Sequence, residues 1–259
     1  MKNDDKKGKV YNKPAYKGEA INEHFNPSPL FYKEYERDLK NVTNRVGEII
    51  ETTPIQKHDD VNNLVTKLLR YQKKLTQWAQ LTAAKWIAKI NKINRKEWER
   101  MSRAIGKGLE RDIQDDQIGG LLKDLQAEQA MYITQLPKDA ADRIQKYAMQ
   151  AITRGERYET LIDKIQKEKG INYRRAKLIA RTESAKAASM LTQARAQAAG
   201  VERFIWRATM DNRTRPSHAK MNGKVCSFSD PPIVDGLPLI PGQIYNCRCH
   251  AEPIFEGIK

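Results

Sequence analysis

DVNNLVTKLLRYQKKLTQWAQLTAAKWIAKINKINRKEWERMSRAI, residues 60–105, places apolar side chains at Val61, Leu64, Leu68, Tyr71, Leu75, Trp78, Trp86, Ile90, Ile93, Trp98, Met101 and Ile105. With Thr82 between Trp78 and Trp86, and with Trp98 one position late, steps of three and four gather these on one face of an α-helix. No proline falls between Pro54 and Pro137, and Asp59 and Asp60 offer N-cap chemistry at the start. A single helix over this stretch is about 70 Å long at roughly 1.5 Å per residue. Helices of that length rarely belong to compact enzyme cores, and the stripe predicts helix-on-helix packing, within one chain or between copies.

Outward from this stretch the pattern stays helical. Tyr32, Tyr35, Leu39, Val42, Val46 and Ile49 repeat at the same spacing, and Thr52-Thr53-Pro54 ends that helix. Gly106, Gly108 and Gly119-Gly120 are the expected breaks downstream. Shorter helices are expected at 121–135, at 138–153 after Pro137, at 157–169 closed by Gly170, and at 173–199 behind an Asn172 N-cap and closed by Gly200. Beyond Gly200 the composition changes. Phe204–Thr209 and Asn246–Glu252 read as strands, with five of the eleven prolines in the loops between them. The expected fold is mostly α: a long helical N-terminal region, then a small α+β C-terminal module with a short antiparallel sheet. The boundaries are 1–29 for a basic arm, 30–154 for the long-helix region and 155–259 for the module.

The 259 residues hold 47 Lys plus Arg against 32 Asp plus Glu, a formal charge of +15. Residues 201–259 carry eight Lys/Arg against six Asp/Glu, so the first 200 residues carry +13 of that charge. A basic front attracts phosphate through counterion release without reading sequence. Lys85, Lys89, Lys92, Lys96, Arg100, Arg103 and Lys107 recur at three and four beside the apolar stripe; they form either a solvated helix face or a phosphate-binding one. The 1–29 arm has six Lys and no helical or alternating period, which suits a poorly ordered terminus or an arm that docks on a partner through Tyr11, Tyr16 and Phe25. No apolar run reaches the roughly 18–20 residues of a membrane span. The charged N-terminus lacks the apolar core of a secretory signal, and a cytosolic life is expected.

The three cysteines, Cys226, Cys247 and Cys249, are too few for a disulfide framework. If Cys247 and Cys249 lie on one strand they share a face, with Arg248 and His250 on the other. His218 and Cys226 would complete a His-x7-Cys-x20-Cys-x-Cys set suited to tetrahedral zinc. Buried, uncoordinated thiols are the alternative. The loop Asp211-Asn-Arg-Thr-Arg-Pro-Ser-His218 gathers an acid, two guanidinium groups and an imidazole. Asp–Arg pairing would lock it as a polar loop; the other reading is a metal-assisted phosphodiesterase using Asp211, His218 and the cysteines. No second carboxylate lies nearby to hold Mg²⁺, there is no phosphate-cradling glycine loop, and the His-x-Glu of zinc deaminases is missing because Ala219-Lys220 follows His218.

These residues resemble the Mu F-like minor head protein family of tailed double-stranded DNA bacteriophages, also called the head morphogenesis family. The matching pieces, in order, are Ala180-Arg-Thr-Glu183 in a helix ending at Gly200, Trp206, Asp211-x-Arg213-Thr-Arg-x-x-His218, Met221-x-Gly223, Pro241-Gly242 and Asn246-Cys-Arg-Cys249. They cover roughly residues 155–255, about 40% of the chain.

The resemblance implies a non-enzymatic head protein with no catalytic residue to carry over. It implies residence in the virion, inside the head near the portal, with assembly in the host cytoplasm. Its expected partners are the portal protein, other head proteins (capsid or scaffold) and double-stranded DNA held nonspecifically, together with self-association through long helices. The expected work is head morphogenesis, DNA packaging or DNA ejection. Arg181, Glu183, Trp206, Asp211, Arg213, His218 and Gly223 would be scaffold of the module, and structural Zn its only expected cofactor. Some related sequences carry toxin domains after this module; the ten residues beyond Cys249 make that arrangement unexpected here. A host-directed DNA-binding protein is the further alternative.

Overall fold

The computed structural model describes residues 10–11, 31–104 and 115–255. The rest of the 1–29 arm, and Ile105, Gly106, Lys107 and Gly108, lie outside the described residues. The elements in order are β1 (Val10–Tyr11), α1 (Phe31–Thr52), α2 (His58–Ala104), α3 (Asp115–Arg154), α4 (Tyr158–Ala198), β2 (Arg203–Arg207), α5 (Pro216–Ala219), β3 (Val225–Ser227), β4 (Ile233–Val234), β5 (Leu237–Pro238) and β6 (His250–Pro253). The protein is mostly α, with four long helices ahead of a small region of short antiparallel sheets. No described helix is long and apolar enough to cross a membrane.

The apolar stripe forms one helix of 47 residues, α2. Asp60 is its third residue rather than its N-cap. Its carboxylate reaches back to accept the backbone N–H of Gln56 (2.7 Å) and Lys57 (3.0 Å), the returning half of a capping box.

The breaks expected at Gly119-Gly120, Pro137, Gly170 and Asn172 are absent. α3 runs 40 residues through Gly119, Gly120 and Pro137, and α4 runs 41 residues through Gly170 and Asn172. An interior proline costs a helix about 3 kcal/mol. Ile133, Leu136, Ala140, Ala141 and Ile144 are all buried on either side of Pro137, and each large side chain buried contributes about 1.5–3 kcal/mol. Packing therefore wins. Asn172 sits buried inside α4, one turn after the equally buried Glu168. The chain turns at Gly200, as expected, and at Gly155, both with positive φ.

Two compact units divide the chain. One comprises Pro29–Trp86 and Asp124–Arg181. Its core joins Val46 and Ile50 of α1, Leu64 and Leu68 of α2, Ala140 and Ile144 of α3, and Leu161 and Ile165 of α4. Tyr35 stacks on Trp86 at 5.0 Å between ring centroids and donates to Gln129 Oε1 at 3.0 Å. The fully buried Glu168 accepts from Tyr147 at 2.8 Å and pairs with Arg143 at 2.9 Å, so its charge is matched.

The other unit comprises Met1–Ser28, Ile87–Lys123 and Thr182–Lys259. Its antiparallel sheet has the order β1-β3-β2-β6. Phe204 stands opposite Cys226 on β3 and Pro253 on β6, and Val10 pairs with Cys226 at the sheet's edge. Phe204, Trp206, Phe228 and Ala251 pack with Trp98 and Met101 of α2 and Ala196 of α4. Between α2 and α4 lies a buried polar cluster: Asn94 donates to Thr192 Oγ1 at 2.9 Å, while Arg195, 1% exposed, donates to Asn94 and Asn91. The strand expected at 204–209 ends at Arg207, and the one expected at 246–252 contracts to β6. Asn246 takes φ 55° and the Cys247 N–H bonds back to the Ile244 carbonyl at 3.1 Å, a turn that delays strand geometry.

Candidate functional site

The chemistry-bearing residues converge in the unit that holds the sheet. After β2 the chain makes a tight polar loop and enters α5, a single turn started by Pro216, whose fixed φ suits the first helical position. That turn buries His218, 2% exposed, with its ring edge-on to Trp206 at 5.5 Å and 88°. The Gly223 N–H donates to the Trp206 carbonyl at 2.8 Å and the Trp206 N–H to the Lys224 carbonyl at 2.9 Å, so the segment after α5 is stitched to β2.

The segment 241–249 docks on the C-terminal half of α4. Ser189 donates to the Pro241 carbonyl at 2.7 Å, Gln243 to Gln193 at 3.1 Å, and the Asn246 N–H to Thr182 Oγ1 at 3.2 Å. Gly242 makes this approach feasible: a Cβ there would lie 3.0 Å from Ser189 Cβ and 3.3 Å from the Ala185 carbonyl, at a φ of +96°. The docking presents Cys247 and Cys249 to His218, each sulfur 3.5 Å from Nδ1.

Three of the four residues expected to hold a metal are thus together. The donor atoms of His218, Cys247 and Cys249 all lie within 4.8 Å of one another, and all three residues are buried. Cys226 does not join them. Its side chain faces the core from β3, its sulfur contacts the Lys224 carbonyl at 3.7 Å, and burial pushes its thiol up to about 12. The spacing argument could not foresee this, since β3 pairs with β2 and that register turns Cys226 into the apolar cluster. His250, on β6, is also outside the group.

Asp235, which spacing did not reveal, completes the surroundings. β4 and β5 are joined by Asp235-Gly236 with φ 54° and 80°, the two-residue hairpin turn that favours this dipeptide. The turn sets Asp235 Oδ2 at 3.2 Å from His218 Nε2. Hydrogen bonds from Cys249, from His218 and from the Gly242 N–H (3.4 Å) pull the Cys247 thiol down, opposed by burial, and the same pairing drives the Cys249 thiol up. Contact with Cys247, and to a lesser degree with Asp235, raises the His218 imidazole against its burial.

Asp211 is tied down. Arg248 grips both its oxygens, its Oδ1 accepts the Arg213 N–H at 3.0 Å and the Thr214 hydroxyl at 3.2 Å, and the Arg248 hydrogen bond above all holds its carboxyl well below the usual range. This is the Asp–Arg lock expected of a polar loop, formed mainly with a distant arginine. Arg213, Arg215 and Arg248 line a small pocket of about 80 Å³ that also touches His218, Cys247 and Cys249. Of the remaining scaffold residues, Glu183 is buried and Arg181 half-buried on α4.

The basic stripe lies on α2 as far as Arg103. Lys92, Lys96 and Arg103 are exposed and Lys89 half-exposed; Arg100 pairs with Glu97 at 2.7 Å, and Lys85, in the all-helical unit, approaches Glu34 at 3.7 Å.

Residues 142–252 match the family described as Phage Mu protein F like protein. An uncharacterised protein of Haemophilus influenzae is 34% identical over 116 residues, 45% of this chain and 25% of that protein. Minor head protein GP7 of Bacillus phage SPP1 is 28% identical over 136 residues, 47% of this chain and 44% of that protein. NAD(+)-arginine ADP-ribosyltransferase EFV of Enterococcus faecalis is 25% identical over 132 residues, 47% of this chain and 27% of that protein. The chain thus spans a quarter to less than half the length of these relatives. No solved structure matches it. The matched segment contains the Thr182, Ser189, Trp206, His218, Gly242 and Cys249 framework described above, and it is this framework that is similar to the Mu F-like family and to the minor head protein of phage SPP1.

Proposed function

We propose that the protein works as a non-enzymatic component of the phage head at the portal vertex, where it serves head morphogenesis and the packaging or ejection of DNA. The carrying observation is that the family match falls on a module whose polar residues are committed to holding it together: Asp211 to Arg248, Thr182 and Ser189 to the docked segment, Asp235 to His218. Asp211 in particular is engaged by Arg248, the Arg213 N–H and the Thr214 hydroxyl, which supports a scaffold over a phosphodiesterase. The basic face of α2 supplies the second half of the reading. Exposed lysines at helical spacing hold phosphates without selecting sequence, as a protein that meets a packaged genome requires. The partners are the portal protein, neighbouring head proteins and double-stranded DNA, in the virion and, during assembly, in the host cytoplasm.

Co-expression with the phage's portal protein tests the central part. Co-purification of the two through size exclusion supports the reading, and their separation at micromolar concentration contradicts it. Incubation of the protein with DNA and divalent metals is expected to leave the DNA intact; cleavage that disappears in His218→Ala would transfer the protein to the phosphodiesterases.

A further inference from the structure

The geometry around His218 points to a zinc site. We propose that His218 Nδ1 and the sulfurs of Cys247 and Cys249 bind one Zn²⁺, with solvent from the arginine-lined pocket in the fourth position. This inference is independent of the head-protein reading, because it concerns what holds the module rather than what the module meets.

Distance carries the first part. Tetrahedral zinc with Zn–S near 2.3 Å and Zn–N near 2.0–2.1 Å separates a nitrogen from a sulfur ligand by about 3.5 Å. Both sulfurs stand 3.5 Å from Nδ1. The three donors come from two segments, α5 and the turn before β6, and converge although neither segment is long enough to bury a core of its own.

Hydrogen-bond accounting carries the second part. Asp235 faces Nε2, which makes Nε2 the donor and leaves Nδ1 with a single lone pair. Two thiols aim at that lone pair, and one lone pair serves two S–H donors poorly. A cation at their centre satisfies all three groups at once. A carboxylate behind a ligating imidazole is also the usual way a protein fixes the ring and raises its basicity. The Gly242 N–H directed at the Cys247 sulfur gives that thiolate the backbone donor it would want.

The consequence is structural. The ion would clamp α5 to the segment docked on α4, and through Asp235 would also set the β4–β5 hairpin. Because the unfolded chain offers no preformed site, zinc binding free energy appears as folding free energy. With two thiolates and a neutral imidazole the site retains no net charge, in keeping with its burial. Cys226 takes no part.

The test is elemental analysis and native mass spectrometry of full-length protein, purified reduced and without chelator. One zinc per chain is expected, and exchange into Co²⁺ should give the visible bands of a tetrahedral thiolate site. Cys226→Ser should keep the ion, whereas Cys247→Ser and Cys249→Ser should lose it. Because losing a ligand also loosens the fold, Asp235→Asn supplies the check: all three ligands remain, and affinity should fall about 10- to 100-fold. Folded wild-type protein without zinc that takes up no Co²⁺, a Cys247–Cys249 disulfide in its place, or loss of the ion in Cys226→Ser would each overturn the proposal.

Discussion

Asp235 Oδ2, carried by the β4–β5 hairpin turn, lies 3.2 Å from His218 Nε2 on α5, and this contact decides which ring nitrogen faces the cysteines. The turn depends on Gly236, whose φ is +80°. Gly236→Ala should cost about 1–2 kcal/mol, the penalty of a left-handed L-residue. For a domain of this size that lowers Tm by roughly 2–4 °C per kcal/mol. An unchanged melting curve would show that the hairpin is not held in this geometry.

Gly242 and Gly120 make a pair with opposite expected signs. Gly242→Ala should lose about 2 kcal/mol or more, since its Cβ meets Ser189 at 3.0 Å and the backbone is left-handed. At Gly120, inside α3, a Cβ meets nothing within 4 Å. Gly120→Ala should therefore gain about 0.5–1 kcal/mol from helix propensity. Chemical denaturation of the two variants checks both, and equal effects would contradict the docking of the 241–249 segment.

The Asp211–Arg248 pair has an acid limb. Its hydrogen bond to Arg248 lowers the folded-state pKa of Asp211 below the unfolded value of about 3.9. Stability from this group is therefore present above that value and lost as pH falls through the folded pKa. Asp211→Asn should flatten the loss of stability below about pH 4 relative to wild type, as read from denaturation midpoints across that range. An identical acid limb would mean the pair adds nothing.

Lys92 and Lys96 are exposed on α2, and among the described residues neither has an ion-pair partner. If they touch phosphate, Lys92→Gln with Lys96→Gln should weaken DNA binding equally for all sequences and reduce the log–log salt slope by about one for each phosphate no longer neutralised. Fluorescence anisotropy at several salt concentrations measures this. A slope that does not change would move the DNA-binding face elsewhere.

Much of the fold is legible in the sequence, and what is not has physical causes. The α2 stripe declares itself because 47 residues of one period leave little ambiguity. Pro137 and Gly170 mislead because propensity is local, while Ile133, Leu136 and Ile144 are buried by distant partners. Cys247 and Cys249 do lie together, but they face His218 from a turn ahead of β6 and not from a strand. Cys226 points elsewhere because strand pairing, which sets its direction, is not written in cysteine spacing. Asp235 escapes a search for ligand spacing, although Val234-Asp235-Gly236-Leu237 carries the hairpin signature that places it. Asn91, Asn94 and Arg195 meet between α2 and α4, a pairing that no period along a single helix announces.

The most direct test of the head-protein account is mass spectrometry of purified particles of the encoding phage, with DNA-filled and emptied heads compared. The protein should be present at low copy in filled heads and co-fractionate with the portal protein; retention after emptying would mark a portal or capsid anchor, and loss an ejected DNA companion. Its absence from filled particles would contradict the account.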